Sequence, residues 1–287
     1  VCSSDLRNYG FEAMLSYGHR WGDFGWDSSF TFSANKNEIV ELVKDYVHPE
    51  TGKTYNVDKL ELKTDEGRGF GKAKFILKEG GTLGDLYTHA DLKRDINGNI
   101  LIDDSGNVTA IDNAGDIKLG SVLPKANLAW NNSFSYKGIN AGFLLTARLG
   151  GIVYSATQAY LDLYGVSETS AAARDAGGVW INGRSHVNPQ SFYEVVASQS
   201  GLPTYYTYSA TNLRLQEAHI GYTVPRRWLG NVCDINVSLV GRNLWMIYCK
   251  APFDPEAVAT TNNYYQGIDY FMMPSTRNIG FNIKINF

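Results

Sequence analysis

The residues that could do chemistry are scattered. His19, His48, His89, His186 and His219 stand far apart along the chain. Cys2, Cys233 and Cys249 form no C-x-x-C or His/Cys cluster of the kind that holds zinc. Asp103–Asp104 and Glu61/Asp65 are carboxylate pairs of the type used in acid–base catalysis, but spacing along the chain does not set carboxylate separation. There is no G-x-S-x-G, no H-E-x-x-H and no P-loop. The expectation is a protein that is not an enzyme and uses no cofactor. Asp95-Ile96-Asn97-Gly98-Asn99, followed by Asp103 and Asp104, places oxygens at Asp95, Asn97 and Asn99 in the manner of a calcium loop. Asn97-Gly98 and Ser105-Gly106 serve equally well as hairpin turns.

A second group is aromatic: Trp180, Tyr193, Tyr205, Tyr206, Tyr208, Tyr264, Tyr265, Tyr270 and Phe271, all in stretches without strand alternation. Flat rings stack on sugars and are enriched at protein interfaces, so these are candidate contacts for a substrate or a covering partner. The competing reading is that they pack the loops onto one another.

The elements that must position these groups read as β-structure. The chain of 287 residues is 13% aromatic and only 19% charged, below the roughly 25% of an average soluble protein. Its net charge of −3 offers no electrostatic footprint for nucleic acid. Three cysteines make no disulfide framework. No apolar run is long enough for a transmembrane helix, which leaves open a membrane β-barrel, whose strands need only every second residue apolar. Such alternation is pervasive. Phe11, Ala13, Leu15 and Tyr17 oppose Glu12, Met14, Ser16 and Gly18. Leu128, Trp130, Phe134 and Tyr136 oppose Asn127, Asn131, Ser133 and Ser135. At the C-terminus, Ile279, Phe281, Ile283, Ile285 and Phe287 oppose Asn278, Gly280, Asn282, Lys284 and Asn286.

Nine runs behave as strands: 8–18, 24–36, 70–78, 83–92, 125–136, 139–150, 211–224, 232–245 and 275–287. The run Leu213–Val224 changes parity between Leu215 and Ala218, which calls for a β-bulge near Gln216–Glu217. Short links (19–23, 79–82, 137–138, 225–231) alternate with long ones (38–69, 93–124, 151–210, 246–274), the pattern of an outer-membrane barrel. The polar face of Asn, Ser, Thr and Gly suits a wet lumen, and the apolar face suits lipid. His219 falls on the lumen parity. The expected class is therefore all-β, an antiparallel transmembrane barrel.

The motifs carry a family likeness. Leu213-Arg214-Leu215 running to Gly221-Tyr222-Thr223-Val224-Pro225 resembles the "LRLxxxxxGYTxP" segment of SusC/RagA-type TonB-dependent outer-membrane transporters. Gly241-Arg242-Asn243-Leu244 with Phe253-Asp254-Pro255-Glu256 resembles their "GRNL…FDPE", and Pro274-Ser275-Thr276-Arg277 their lead-in to the closing strand. Asn35-Lys36-Asn37-Glu38, Gly150-Gly151-x-Val153-Tyr154 and Tyr160-Leu161-x-x-Tyr164-Gly165 match in order. The resemblance implies the C-terminal portion, about eight or nine strands, of a barrel of about 22. Residues 1–7 would be a non-native or disordered lead, and 8–287 barrel. It further implies a bacterial outer-membrane location in the lipid bilayer. The terminal Phe281, Ile283, Ile285 and Phe287 would be a signal to the barrel-assembly machinery. A SusD-like surface lipoprotein would cover the mouth, and TonB-ExbB-ExbD would supply energy through a missing N-terminal region. The implied substrate is a glycan or glycan-derived oligosaccharide, or a peptide. The rival functions are a siderophore- or vitamin-type TonB-dependent receptor and a soluble carbohydrate-binding β-domain.

Overall fold

The computed structural model describes residues 5–62, 72–183, 185–230, 232–259 and 266–286. Its main element is a seven-stranded antiparallel sheet whose strands lie side by side in chain order. They are numbered here β1 (Asp5–Trp21), β2 (Phe24–Glu41), β3 (Ala126–Tyr136), β4 (Ile139–Leu149), β5 (Asn212–Val224), β6 (Asp234–Cys249) and β7 (Asn278–Asn286).

Directly opposed residues share a face of a sheet, so the register tests the alternation. Leu15 pairs with Phe30, Phe30 with Trp130, Trp130 with Leu145, Leu145 with Leu215 and Leu215 with Trp245. Two rows lower, Trp26, Phe134, Ala141, Ile220, Leu239 and Phe281 run across the sheet in the same way. The apolar face is thus continuous over all seven strands. The bulge falls where the parity change required it: Leu144 pairs with Glu217 and Leu145 with Leu215, which leaves Gln216 as the extra residue.

Large apolar side chains on this face are open to solvent, among them Leu15 (73% exposed) and Phe281 (78%). A face this apolar and this uncovered is not the core of a water-soluble sheet. It is the lipid-facing surface of a barrel wall. Among the polar residues within it are Ser28 and Asn132, which oppose each other. Each accepts an indole N–H: Trp130 Nε1 donates to Ser28 Oγ (3.0 Å) and Trp26 Nε1 to Asn132 Oδ1 (3.1 Å). The indoles need acceptors once out of water, which accounts for polar residues on that side.

All short connections lie at one end of the sheet. Gly22-Asp23 and Lys137-Gly138 are two-residue turns, and Lys137 and Gly138 both have positive φ (47° and 87°), as a type I′ hairpin requires. All long connections, residues 42–125, 150–211 and 250–277, lie at the other end. They fold together into one body with its own hydrophobic core. Phe75 and Leu86 come from the first loop, Tyr154, Phe192, Leu202 and Tyr206 from the second, and Ile268 from the third.

The sheet has seven strands where the sequence predicted nine. The runs 70–78 and 83–92 are not wall strands. Within them, the described strands Ala73–Lys78 and Asp85–Thr88 sit in a separate four-stranded sheet with Lys59–Glu61 and Ile117–Ser121. All of Asp85–Thr88 is buried, so this strand has no wet face, whereas a wall strand alternates lipid and lumen. β2 pairs directly with β3, and the two expected long links are one. The loops also contain helices, at Ala156–Leu163, Glu168–Asp175 and Pro189–Val196. Residues 5–7, read from sequence as part of a lead, continue β1.

Candidate functional site

The face opposite the lipid is mostly polar, with Met14, Ala129, Leu144 and Val240 among its few apolar positions. Asn8 opposes Asn37, Ser33 opposes Asn127, Asn127 opposes Arg148, and Arg148 opposes Asn212. Further down, Gly142 opposes His219, so the imidazole lies where a Cβ on Gly142 would come within 2.6 Å of its Cε1. Arg242 Nε donates to Glu217 Oε2 at 2.9 Å across β5 and β6. His219 therefore belongs to a hydrated wall.

At the loop end, motifs distant in sequence meet. Arg214 of β5 donates from Nη1 and Nη2 to Asp254 Oδ2 and Oδ1, at 3.2 and 2.8 Å. Glu256 Oε2 lies 3.2 Å from Arg214 Nη2, and its Oε1 accepts from Asn212 Nδ2 at 3.2 Å. The two charged side chains of the Arg214–Asp254 pair are 6% and 9% exposed. Burial alone would push the Asp254 carboxyl up; hydrogen bonds from Arg214, Ser275 and the Glu256 N–H overcome it and hold the carboxyl below its usual range. Asn243, at φ 52°, donates to the Thr276 carbonyl in the lead-in to β7. Asn37 donates to Asn8 Oδ1 and accepts from the Leu83 N–H, both at 2.8 Å, tying β1 and β2 to the first loop. Gly150 and Gly151, at φ 76° and 81°, turn the chain out of β4, and a Cβ on Gly151 would meet the Val122 carbonyl at 3.1 Å. The motifs are thus joints between wall and loops.

The loops are joined to one another as well. Asn182 brackets Ile100, accepting from its N–H and donating to its carbonyl. Ser155 Oγ donates to Asp269 Oδ2 at 2.6 Å beside a short parallel pairing of residues 154–155 with 268–269. The same Ser155 caps the helix Ala156–Leu163 through the Gln158 N–H.

The predicted aromatic group divides. Tyr193 and Tyr206 are buried in the loop core, and Tyr205 and Tyr208 are partly buried against it. Burial, reinforced by the nearby Asp162 carboxylate, raises the Tyr206 phenol and pushes Tyr208 up to about 12. Burial also raises Tyr205 and Tyr193. Tyr270 is half-buried, with its ring 5.1 Å from that of Phe271. Trp180 (61% exposed) and Phe271 (57%) stand out from the body. Tyr264, Tyr265 and Phe287 lie outside the described residues, while Phe281, Ile283 and Ile285 lie on the lipid-facing side of β7.

Asp95 closes its own turn. Its Oδ1 accepts from the Asn97 and Asn99 N–H groups at 2.8 Å each, and its Oδ2 from Asn99 Nδ2 at 3.1 Å. These bonds, led by the Asn99 side chain, hold the carboxyl below its usual range. Asp103 repeats the arrangement with Ser105 and Asn107. Among the described residues there is no cluster of three or more metal-ligating side chains.

No family model matches the chain. Its sequence is similar to TonB-dependent receptors of Formosa agariphila. It is 24% identical to TonB-dependent receptor P3 and 25% identical to TonB-dependent receptor P26, in each case over 98% of this chain and 29% of the relative. The chain therefore spans less than a third of the length of these relatives. Its fold is similar to a chain of the RagAB peptide importer in the closed-closed state, with a TM-score of 0.63 and 16% identity over 98% of this chain and 30% of that one. A second structure, of the RagAB peptide transporter, gives the same TM-score at 17% identity, over 98% of this chain and 29% of that one. In sequence the chain is similar to TonB-dependent receptors and in fold to a chain of RagAB, and both findings agree with the resemblance its motifs carry to SusC/RagA-type outer-membrane transporters.

Proposed function

We propose that the sheet is part of the wall of a TonB-dependent importer that carries oligosaccharides derived from glycans across the bacterial outer membrane. The observation that supports this most is the register: one face is apolar over seven strands, and the other is lined by Asn, Ser, Thr, Gly and a few charges. Such a wall separates lipid from a wet passage. The loop body stands at the extracellular mouth. Trp180 and Phe271 face outward there, available to a solute or to a covering SusD-like lipoprotein. Energy comes from TonB with ExbB and ExbD, acting on parts of the relatives' length that this chain does not span. No reaction is catalysed.

Peptide import is the second reading. It is favoured by the fold match to RagAB, which is described as a peptide importer.

The test is uptake by the native bacterium with this gene inactivated and then restored. Fluorescent neutral oligosaccharides and oligopeptides serve as solutes. Loss of oligosaccharide uptake on inactivation, and equal loss when TonB is removed, is the expected result. Uptake that survives both would overturn the proposal, and loss of peptide uptake alone would favour the second reading.

A further inference from the structure

The lumen wall carries a concavity near its loop end. A cavity of about 420 Å³ lies on the polar face where β2, β3, β4 and β5 meet the third loop, within the range of about 300–1,000 Å³ typical of small-ligand sites. Ser33, Asn127, Thr146, Arg148, Gln216 and Glu256 line it.

Three features set this cavity apart from ordinary wet wall. Gln216 sits at the bulge: it continues the polar-side alternation of Asn212 and Arg214, and the bulge adds Glu217 as a second consecutive side chain on that side. Among the described residues, no protein group hydrogen-bonds the side chains of Ser33, Asn127, Thr146 or Gln216, so hydroxyls and amides point into the space uncommitted. Arg148 is held in place by the bond from Nη2 to the Val122 carbonyl (2.8 Å), while its buried Nε has no partner.

The charges around the cavity cancel. The two guanidinium groups of Arg148 and Arg214 are matched by the carboxylates of Asp254 and Glu256, and Arg214 is already consumed by both. A site with no net charge gives no advantage to an anion or a cation. The backbone is also unavailable. Each of the four strands around the cavity is paired on both edges, so a peptide cannot add as a further strand. What remains is a set of short donors and acceptors that match the hydroxyls of a sugar ring.

We propose that this cavity is a wall subsite for one or two units of a neutral oligosaccharide, read by Asn127, Thr146 and Gln216 and bounded by Arg148 and Glu256. The subsite rests on the transport reading above and adds to it a place on the wall and a preference for uncharged sugars.

The test uses the purified full-length transporter and calorimetric titration with maltohexaose, xylohexaose and laminarihexaose. An oligogalacturonate and a mixed tetrapeptide serve as charged and peptide probes. At least one neutral hexaose should bind, and affinity should be indifferent to salt. Asn127→Ala and Gln216→Ala should each weaken it about three- to ten-fold, the effect of losing one or two hydrogen bonds. Thr146→Val keeps the shape of the side chain and should weaken binding by a similar factor, which guards against a variant that only disturbs folding. The subsite is overturned if no neutral hexaose binds, if the acidic oligomer or the tetrapeptide binds more tightly, or if all three variants retain wild-type affinity. Energy-dependent uptake is scored separately in cells: hexaose binding without TonB-dependent uptake would sink the transport reading and leave the subsite standing.

Discussion

Arg214 and Asp254 form a two-pronged ion pair, at 3.2 and 2.8 Å, buried between the rim of β5 and the third loop. It joins two motifs forty residues apart in the chain. A buried guanidinium satisfied by one carboxylate on two bonds and by a second on its edge is a fixed joint rather than a surface ion pair.

Breaking the joint from one side leaves a buried charge. Arg214→Ala in the full-length protein should destabilise the seating of the third loop by about 3–5 kcal/mol. Limited proteolysis should then cut within residues 250–277, where the wild type resists. Arg214→Met combined with Asp254→Leu removes both charges and should restore much of that resistance.

The same joint has a pH dependence. The Asp254 carboxyl is held below its ordinary value of 3.8 in the folded state. A depressed carboxylate contributes stability that is present above the unfolded value and lost as pH falls through the folded one. The loop should therefore resist protease at pH 7 and at pH 5, and become sensitive only below about pH 4. Sensitivity that appears near pH 6 would point to a histidine instead.

The two faces of β3 should respond oppositely to charge. Trp130 and Asn131 are neighbours at the middle of the strand, one on the lipid side and one in the lumen. Trp130→Arg should cost roughly 2–4 kcal/mol and reduce the amount of folded, heat-modifiable protein in outer membranes. Asn131→Arg should leave that amount unchanged.

Buried and exposed aromatic residues of the loops should separate in the same assay. Tyr206, at 2% exposure, packs the loop core, and Tyr206→Ala should cost about 3–5 kcal/mol and lower the folded yield. Trp180→Ala should leave the fold within about 0.5 kcal/mol and act, if at all, on uptake.

Chelation should do nothing to the Asp95 turn. Its carboxylate is already occupied by the Asn97 and Asn99 N–H groups and the Asn99 side chain. Adding a chelator should leave protease resistance around residues 93–109 as it was, and Asp95→Ala should lower it.

The wall was legible in the sequence because lipid and water impose opposite demands on alternate residues, and the chain records this strand by strand. The parity change between Leu215 and Ala218 was enough to place the bulge to within a residue. The loop body was much less legible. Asp85–Thr88 lies buried in a second sheet, and its alternation looks like that of a wall strand until its partners are known. The helix Ala156–Leu163 is short and gains its stability from Ser155 capping and from packing against Leu202 and Ile268 rather than from its own periodicity. Arg214 and Asp254 were both visible as motif residues. Their meeting was not, because nothing in either segment specifies a partner forty residues away. The cavity was hidden for a related reason. Its lining comes from four strands and a loop that only the folded chain brings together.

The most direct test of the wall is a scan of β3 in the full-length protein, set in outer membranes. Single nitroxide labels would be placed in turn at residues 127–135. Accessibility to oxygen, which concentrates in lipid, and to a water-soluble nickel chelate would be measured at each. Positions 128, 130 and 134 should favour oxygen and positions 127, 131, 133 and 135 the chelate, with a period of two. Equal access of the chelate to both sets would contradict the assignment of the apolar face to lipid, and with it the reading of this sheet as the wall of an outer-membrane transporter.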